Sequence, residues 1–450
     1  MLQQTALEIL KLGANVFLTG SAGSGKSYTL GLYIEELKKN QVKDHVIAVT
    51  ATTGIAATLI GGSTIHSFAC IGIHEYLTDE AIQKIIQKRR KAVDKIDQAK
   101  VLILDEISML HRRQLELASR VISIVKQNSE PFGGMQVIVT GDFFQLPPVQ
   151  KAETKEENRD RFCFMSPVWV EANFKVCYLT EQHRSKGGTL NQILNAIRSQ
   201  SVTEEHIEIL RSRKVDPTKT DILNLYTHNE DVDYINFTQL QKIKGETYRF
   251  KAENEGEEKP LQVLINSVMA PQNLELKLGA KVMFVKNNLD AGYANGTQGV
   301  VEKFIPNEEC DPPFTPVVKT TDGLLIEVEP DIWELDRNGK VVAKIRQLPL
   351  RLAWAITIHK SQGMSLDEAR INLGRTFEKG QGYVAISRLR SIEGLYVEDI
   401  GYGALDLNPL AIKADARFRE LSEINETLIL NQSEVDRKKL QQTYIKSLLR

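Results

Sequence analysis

Short apolar runs separated by helical patterns fill the first third of the chain. The clearest runs are Val16–Leu18, Val46–Val49, Val101–Leu104 and Val137–Val139, and each ends in a polar or glycine-rich turn. Continuous apolar runs of this length are typical of strands that are buried on both faces of a parallel sheet. In such sheets, ligands bind beyond the carboxyl ends of the strands. The pattern therefore predicts an α/β fold with functional residues in the turns that follow these runs.

Three segments of the same region place apolar residues at helical spacing. Residues 1–12 and 28–37 each predict an ordinary helix. Residues 83–95 predict one basic amphipathic helix, because lysines and arginines are interleaved with isoleucines and a valine. A charge run of this kind usually marks a solvated face, so we expect no nucleic-acid contact from it.

The pattern changes twice in the second half of the chain. Residues 185–245 predict helices and one strand, at 222–226. Residues 276–333 contain short β-rich runs, and Asp322-Gly323 between two of them predicts a hairpin. This change indicates a small inserted β-barrel. Residues 409–450 return to a polar helical pattern that carries no chemical signal.

Length and composition limit the class of protein. A chain of 450 residues is too long for one hydrophobic core, so several domains are expected. A hydrophobic content of 42% and a charged content of 26% are typical of a soluble globular enzyme. The net charge of −1 gives no global signal for nucleic acid, so any polyanion site must lie in a local groove. No signal-peptide order and no apolar run of the ~18 residues that span a membrane are present, which predicts an intracellular soluble protein.

The cysteines give no evidence of a metal site. The four residues Cys70, Cys163, Cys177 and Cys310 are widely separated, and none has C-x-x-C spacing. A disulfide scaffold is equally unexpected. We expect these side chains to be small buried apolar groups in a reducing compartment.

The strongest chemical signal follows the first apolar run. Residues 20–27 fit the pattern G-x-x-x-x-G-K-[ST] of a phosphate-binding loop, in the strand–loop–helix context that this loop requires. Backbone N–H groups and the helix N-terminus favour phosphate there, while Lys26 reaches the β- and γ-phosphates and the Ser27 hydroxyl ligates Mg²⁺. An ordinary glycine-rich turn is the alternative interpretation. The predicted nucleotide-binding residues are Gly20, Ser21, Ala22, Gly23, Ser24, Gly25, Lys26 and Ser27.

Two further turns carry candidate catalytic groups. Asp105-Glu106 follows an apolar run, where Asp105 can hold Mg²⁺ and Glu106 can polarise the attacking water. A carboxylate pair at a strand end can also be a helix N-cap. Gln145 lies in the turn after the next run, where it could sense the γ-phosphate or orient water. The alternative there is a turn that ends at Pro147-Pro148.

Three stretches together resemble a known family. They are Asp105–Met109, Pro131–Gln136 and Gly141–Pro148, and they are similar to the PIF-type (petite integration frequency) DNA helicases of superfamily 1. The middle stretch resembles that family's own signature and separates it from the related RecD-type helicases. The resemblance extends to about residue 405. It implies two RecA-like P-loop lobes with parallel sheets, ATP between them, an inserted SH3-like β-barrel, a small wedge insertion and single-stranded DNA across the top.

The resemblance also assigns roles to individual residues. Gln3 occupies the position of the glutamine that reads adenine, and the neighbouring Gln4 is the alternative. Arg184 and Arg388 resemble arginine fingers, whose planar cations suit transition-state charge. Gln362 and Gly363 correspond to residues that face the nucleotide. The residues expected to contact DNA are Thr52, Thr64, His66, Thr357, His359 and Lys360.

A domain plan follows from pattern and resemblance together. Residues 1–175 form the first lobe, with the wedge at about 70–80, and residues 176–250 and 346–408 form the second. The SH3-like β-barrel occupies 251–345. The helical segment 409–450 completes the chain.

The expected function is ATP-dependent, Mg²⁺-dependent unwinding of DNA by a protein that translocates on single-stranded DNA. The family implies 5′-to-3′ travel, with duplex, fork or G-quadruplex DNA as substrate, and we expect a monomer that does not bind membranes. The alternatives are a P-loop switch or kinase without translocation, an RNA-directed helicase, and a non-enzymatic scaffold. A GTPase would carry N-K-x-D, and the nearest stretch, 218–221, lacks the asparagine.

Overall fold

The computed structural model describes residues 1–72, 74–148, 158–181, 188–214, 222–288, 290–293, 295–308, 311–337 and 340–449. Its helices are, in chain order, α1 (Gln3–Lys11), α2 (Lys26–Lys39), α3 (Gly54–Leu59), α4 (Ile65–Phe68), α5 (Asp79–Lys88), α6 (Arg90–Gln98), α7 (Arg112–Val125), α8 (Asn158–Arg161), α9 (Pro167–Glu171), α10 (Thr189–Arg198), α11 (Glu204–Ser212), α12 (Asn229–Lys242), α13 (Glu258–Ser267), α14 (Gln381–Ser387), α15 (Pro409–Asn431) and α16 (Glu434–Leu449).

The strands are β1 (Val16–Gly20), β2 (Ile47–Ala51), β3 (Ser63–Thr64), β4 (Val101–Asp105), β5 (Gln136–Thr140), β6 (Lys175–Leu179), β7 (Asn224–Tyr226), β8 (Tyr248–Lys251), β9 (Glu253–Gly256), β10 (Asn273–Leu276), β11 (Lys281–Phe284), β12 (Gln298–Pro306), β13 (Phe314–Thr320), β14 (Leu325–Glu327), β15 (Asp331–Arg337), β16 (Lys340–Gln347), β17 (Leu350–Leu352), β18 (Ala355–Thr357), β19 (Ala369–Leu373) and β20 (Leu395–Ile400). They belong to two compact units, Met1–Gly187 with Leu407–Arg450, and Gly188–Asp406.

The first unit is built on a parallel sheet of six strands in the order β3-β2-β4-β5-β1-β6. All five residues of β1 and of β5 are buried, as the apolar runs predicted. The expected lobe boundary at residue 175 is wrong, because β6 hydrogen-bonds to β1 along its whole length and so belongs to this sheet. The polar ends of β1, β4 and β5 meet at one edge, which positions the candidate site.

The C-terminal helices are also part of the first unit. Ile429 of α15 and Leu448 of α16 lie in the same buried cluster as Leu10, Val16 and Leu37. The sequence predicted these helices but gave no location for them. Their packing against the sheet explains why the unit contains both ends of the chain.

The second unit combines a parallel sheet with antiparallel ones. Its parallel sheet has four strands in the order β18-β7-β19-β20. Between β7 and β18 the chain forms antiparallel sheets ordered β14-β13-β12-β11-β17, β15-β16-β9 and β10-β8. β13 and β14 pair across Asp322-Gly323, which confirms the predicted hairpin. Phe284, Val318, Leu350 and Trp354 belong to the main core of this part.

The prediction of one basic helix over residues 83–95 is wrong. The chain forms α5 and α6, which are interrupted at Arg89 with φ −115° and ψ 46°. The break lies within four consecutive cations, residues 88–91. Lys88 is four residues from Lys84 and three residues from Lys91, and like charges at these spacings destabilise a helix. Each helix still buries one isoleucine, Ile82 or Ile96.

Burial confirms the expectation for the cysteines that the structure describes. Cys70, Cys163 and Cys177 are buried, and Cys310 lies outside the described residues. Burial raises the pKa of the Cys177 thiol to about 12, so this side chain stays protonated at neutral pH. Within the described part of the chain, none of the helices is both long and apolar enough to cross a bilayer.

Candidate functional site

The loop between β1 and α2 has the geometry of a phosphate cradle. Gly25 adopts a left-handed conformation, φ 84° and ψ 22°, directly before the helix starts at Lys26. A Cβ at Gly20 would lie 2.6 Å from the carbonyl oxygen of Leu179, so only glycine fits there. The Lys26 side chain folds back over the loop. Its ammonium donates hydrogen bonds to the carbonyl oxygens of Gly20 and Ser21, at 2.9 and 3.0 Å. The amide of Gln3 donates to the Ser24 carbonyl at 3.2 Å, which places it beside the loop.

The carboxylate pair lies at the end of β4, two strands from the loop. Asp105 Oδ1 accepts hydrogen bonds from the Thr140 hydroxyl at 2.5 Å and from the Glu106 N–H at 2.9 Å. Glu106 has a left-handed backbone, φ 54° and ψ 42°, and begins the next turn. The structure thus fixes the orientation of Asp105 through β5. In the sequence, Thr140 is one of the polar residues that directly follow an apolar run, and nothing else marks it.

The turn after β5 holds Gln145. The Gln145 N–H donates to the Asp142 carbonyl at 2.9 Å, and Asp142 Oδ1 accepts from the Phe144 N–H at 3.2 Å. The Thr19 hydroxyl of β1 donates to the Gly141 carbonyl at 2.8 Å. Gln145 is buried at the same sheet edge as the phosphate-binding loop. This position fits a residue that senses the γ-phosphate.

Two of the candidate DNA-contacting residues of the first unit, Thr52 and Thr64, also form hydrogen bonds within the protein. The Thr52 hydroxyl donates to the Glu106 carbonyl at 2.9 Å, and the Thr52 N–H donates to the Asp105 carbonyl at 3.2 Å. Thr64 caps α4, because its hydroxyl accepts from the Ser67 N–H at 3.2 Å. Burial lowers the pKa of His66, against a smaller opposing effect of a hydrogen bond with Gln114. His66 is therefore mainly neutral at pH 7.

The candidate residues of the second unit begin at Thr357, the last residue of β18, and continue into the turn after this strand. The Thr357 hydroxyl accepts from the Lys360 N–H at 3.2 Å, which forms a tight turn at the strand end. Burial lowers the pKa of His359, with a smaller opposing effect of Glu378. Burial also lowers the pKa of Lys360, and the positive charge of Arg351 acts in the same direction. The turn continues through the buried Gln362 to Gly363, which has φ 80°.

Arg388 directly follows α14, and Arg184 lies outside the described residues. The Arg388 side chain is buried, its Nε donates to the Val384 carbonyl at 3.1 Å, and its terminal nitrogen donates to the Ser387 hydroxyl at 2.9 Å. These bonds hold the guanidinium close to its own helix. Arg351, buried near Lys360, was missed from sequence because it is a lone arginine between two leucines.

These features define a P-loop nucleotide-binding protein. The loop at 20–27, a carboxylate pair on β4 and a polar turn after β5 meet at one edge of a parallel sheet. A P-loop with a strand-end acidic pair is the arrangement that binds and hydrolyses nucleoside triphosphates.

The chain belongs to the PIF1-like helicase family. The family model "PIF1-like helicase" matches residues 3–209, and "DNA helicase Pif1, 2B domain" matches residues 261–304. The chain is 43% identical to ATP-dependent DNA helicase Pif1 of Psychrobacter sp. over 475 residues, which cover 94% of this chain and 71% of the relative. It is 37% identical to human ATP-dependent DNA helicase PIF1, covering 92% of this chain and 62% of that protein.

Solved structures agree with this assignment. The Pif1 helicase of Candida albicans is similar with a TM-score of 0.79 and 34% identity, over 92% of this chain and 98% of that one. The Bacteroides Pif1 helicase in complex with ADP-AlF3 and single-stranded DNA is similar with a TM-score of 0.66 and 30% identity, over 94% of this chain and 97% of that one. The family resemblance read from the sequence is therefore confirmed.

Proposed function

We propose that the chain is an ATP-dependent DNA helicase that translocates on single-stranded DNA and unwinds duplex, fork or G-quadruplex DNA. The observation that carries the proposal is the meeting of the phosphate-binding loop at Gly20–Ser27 with Asp105 and Glu106 at one sheet edge. The Bacteroides relative, whose structure contains both ADP-AlF3 and single-stranded DNA, supports both ligands.

Each polar group at the sheet edge has a role in ATP hydrolysis. The cradle holds the phosphates, and Lys26 exchanges its carbonyl partners at Gly20 and Ser21 for the β- and γ-phosphates. Glu106 polarises the attacking water, and Gln145 orients it. We assign Arg184 and Arg388 to the γ-phosphate on family resemblance, and Gln3 to the adenine on its position against the loop.

Mg²⁺ fits the donors that the site presents. Mg²⁺ prefers oxygen ligands, and P-loop sites hold it with one or two protein oxygens together with substrate phosphates. Asp105 keeps a fixed orientation through Thr140, and Ser27 is the second residue of α2, at the end of the cradle. When bound, the ion supplies charge stabilisation for the β- and γ-phosphate oxygens. Asp105 and Ser27 are the residues that would hold it.

DNA binding is assigned to the carboxyl ends of β2, β3 and β18 and to the turns that follow them. The residues are Thr52, Thr64, His66, Thr357, His359 and Lys360. Hydroxyls and neutral histidines donate hydrogen bonds to phosphate oxygens without a formal charge, so Lys360 carries most of the salt dependence of DNA binding. Contacts of this kind to the backbone predict weak sequence specificity. We also propose Gln362 and Gly363 as nucleotide-facing residues of the second unit.

The remaining assignments rest on family resemblance. We propose 5′-to-3′ translocation by a monomer, a wedge at about residues 70–80, and an SH3-like domain at residues 251–345, where most strands of the antiparallel sheets lie. The match of residues 261–304 to the Pif1 2B domain supports a distinct domain there.

ATPase assays test the proposal directly. The chain should hydrolyse ATP faster with single-stranded DNA than without it, and Lys26→Ala should abolish this stimulated hydrolysis. Lys38→Ala is the matched control, because Lys38 lies on the same helix and pairs with the exposed Asp44. A preference for GTP, or hydrolysis that is indifferent to DNA, would favour a P-loop switch or kinase. Stronger stimulation by RNA would favour an RNA-directed helicase.

A further inference from the structure

The C-terminal helices contact the strands that build the nucleotide site. α15 lies along β6, the edge strand of the parallel sheet. The Ser422 hydroxyl accepts from the Tyr178 N–H at 2.9 Å, and the Asn425 amide donates to the Val176 carbonyl at 3.2 Å. These side chains satisfy backbone groups that an edge strand would otherwise expose. The segment is therefore docked by specific polar contacts as well as by burial.

One residue of α15 reaches the turn that holds Gln145. The Phe418 ring lies 4.9 Å from the ring of Phe17 and 6.0 Å from the ring of Phe143, measured between centroids. Phe143 is next to Asp142, whose carbonyl accepts the Gln145 N–H in the turn after β5. Trp169 packs against the same cluster, with its ring centroid 5.9 Å from Phe143. Phe418 thus belongs to the aromatic cluster that packs against the turn holding Gln145.

A residue of α16 reaches the helix that begins at Lys26. The Tyr444 hydroxyl donates to Gln136 Oε1 at 2.8 Å, and the Tyr33 hydroxyl of α2 donates to the same oxygen at 2.7 Å. The Gln136 amide in turn donates to the carbonyls of Leu10 and Ala14, each at 2.9 Å. This buried network joins α1, α2, the first residue of β5 and the C-terminal helix.

We infer that the C-terminal segment 409–449 positions the ATP-hydrolysing groups, with Phe418 acting on the Gln145 turn and Tyr444 acting on α2. The inference rests on the proposed ATP hydrolysis. Catalytic groups must be held in their productive geometry, and a displacement of about 1 Å can reduce the rate on the order of a hundredfold. Phe418 and Tyr444 touch no reacting atom and are positioning residues.

The two contacts predict different kinetic effects. Phe418→Leu keeps an apolar side chain but loosens the Gln145 turn, so kcat with saturating single-stranded DNA should fall about tenfold. The dissociation constant for ADP should stay unchanged, because ADP lacks the γ-phosphate. Tyr444→Phe removes one hydroxyl from the Gln136 network and loosens α2, so the dissociation constant for ADP should rise about threefold with a small effect on kcat.

Two controls separate positioning from general destabilisation. Leu428→Ala changes a side chain of α15 that is 57% exposed and should leave both quantities as in the wild type. Ile82→Val removes one methylene from a fully buried residue on α5, which provides a destabilised chain with an intact site. Rates are compared well below the melting temperature of each variant.

The possible results distinguish this inference from the proposed function. A kcat loss in Phe418→Leu and an ADP-affinity loss in Tyr444→Phe, both missing from the controls, would support it. If the wild-type chain hydrolyses ATP and both variants keep its kcat and its ADP affinity, the inference is overturned and the proposed function stands. The inference would also be overturned if Ile82→Val, at an equal loss of melting temperature, lowered kcat and ADP affinity to the same extent. A wild-type chain that hydrolyses no ATP would overturn the proposed function, and this inference with it.

Discussion

The hydroxyl of Thr140 donates a 2.5 Å hydrogen bond to Oδ1 of Asp105, across the neighbouring strands β5 and β4. Both residues end their strands at the edge where the phosphate-binding loop lies. Thr140 is buried, so its hydroxyl needs a partner within the protein. The carboxylate that we assign to Mg²⁺ is thereby held in one orientation by the strand that leads to Gln145.

Removing this hydroxyl should weaken the metal site. Residues that orient a metal ligand typically contribute about 10- to 100-fold to metal affinity or activity, so Thr140→Val should raise the Mg²⁺ concentration needed for half-maximal ATPase about tenfold. Titration of Mg²⁺ at fixed ATP measures this. Thr50→Val is the matched control, because Thr50 is also buried and donates only to the Ile103 carbonyl on β4. Equal Mg²⁺ dependence in the two variants would contradict the assignment of Asp105.

Thr52 hydrogen-bonds to a residue that we assign to hydrolysis. Its hydroxyl donates to the Glu106 carbonyl at 2.9 Å, so we expect DNA contact at Thr52 to affect Glu106, which we assign to the attacking water. Thr52→Val should therefore lower the DNA-stimulated ATPase rate about fivefold, as expected for the loss of one hydrogen bond, with little change in the basal rate. Rates with and without single-stranded DNA measure the difference. A variant in which both rates fall equally would show that Thr52 is only structural.

Gly20 and Gly31 should respond in opposite directions to alanine. A Cβ at Gly20 would lie 2.6 Å from the Leu179 carbonyl, whereas a Cβ at Gly31 meets nothing within 4 Å. Gly20→Ala should lose nucleotide binding and melt at a lower temperature. Gly31 is inside α2, so Gly31→Ala should stabilise the protein by ~0.5–1 kcal/mol. Thermal melts with and without ADP test both. An active Gly20→Ala variant would contradict the close approach at the cradle.

Stability should fall as the pH drops below about 6.5. Burial lowers the pKa of His66 and of His359 below the value of about 6.5 that is usual for histidine, so below that pH the unfolded chain binds protons that the folded chain does not. The stabilisation is present above the unfolded pKa and is lost as the pH falls toward the folded values. Melting temperatures from about pH 8 to about pH 5 should show a shallower decline in His66→Asn and in His359→Asn. The exposed His45→Asn serves as control, and an unchanged slope in both buried variants would contradict the prediction.

Contiguous features of the site could be predicted from the sequence. The cradle at Gly20–Ser27 and the pair Asp105-Glu106 are local patterns, and their strand contexts are short apolar runs that fold as expected. Thr140 could not be assigned a partner, because its bond to Asp105 joins residues that only the order of strands brings together. The same holds for Phe418 and Tyr444, which occur in a polar tail without local chemistry and act only through tertiary contacts.

Helix and domain limits were less predictable, for physical reasons. The apolar spacing of residues 83–95 predicts one helix, whereas the break at Arg89 lies among closely spaced cations, which the apolar periodicity does not register. The expected lobe boundary at residue 175 lies too early in the chain. The residue pattern of β6 is that of an ordinary strand, and only its pairing with β1 shows to which sheet it belongs.

Unwinding of tailed duplexes tests the central claim most directly. With ATP and Mg²⁺, the chain should separate a duplex that carries a 5′ single-stranded tail and leave a 3′-tailed duplex of the same sequence intact, and Lys26→Ala should separate neither. Unwinding of the 3′-tailed duplex would contradict the proposed direction. If the wild-type chain hydrolysed ATP but separated neither duplex, the coupling of hydrolysis to translocation would be contradicted.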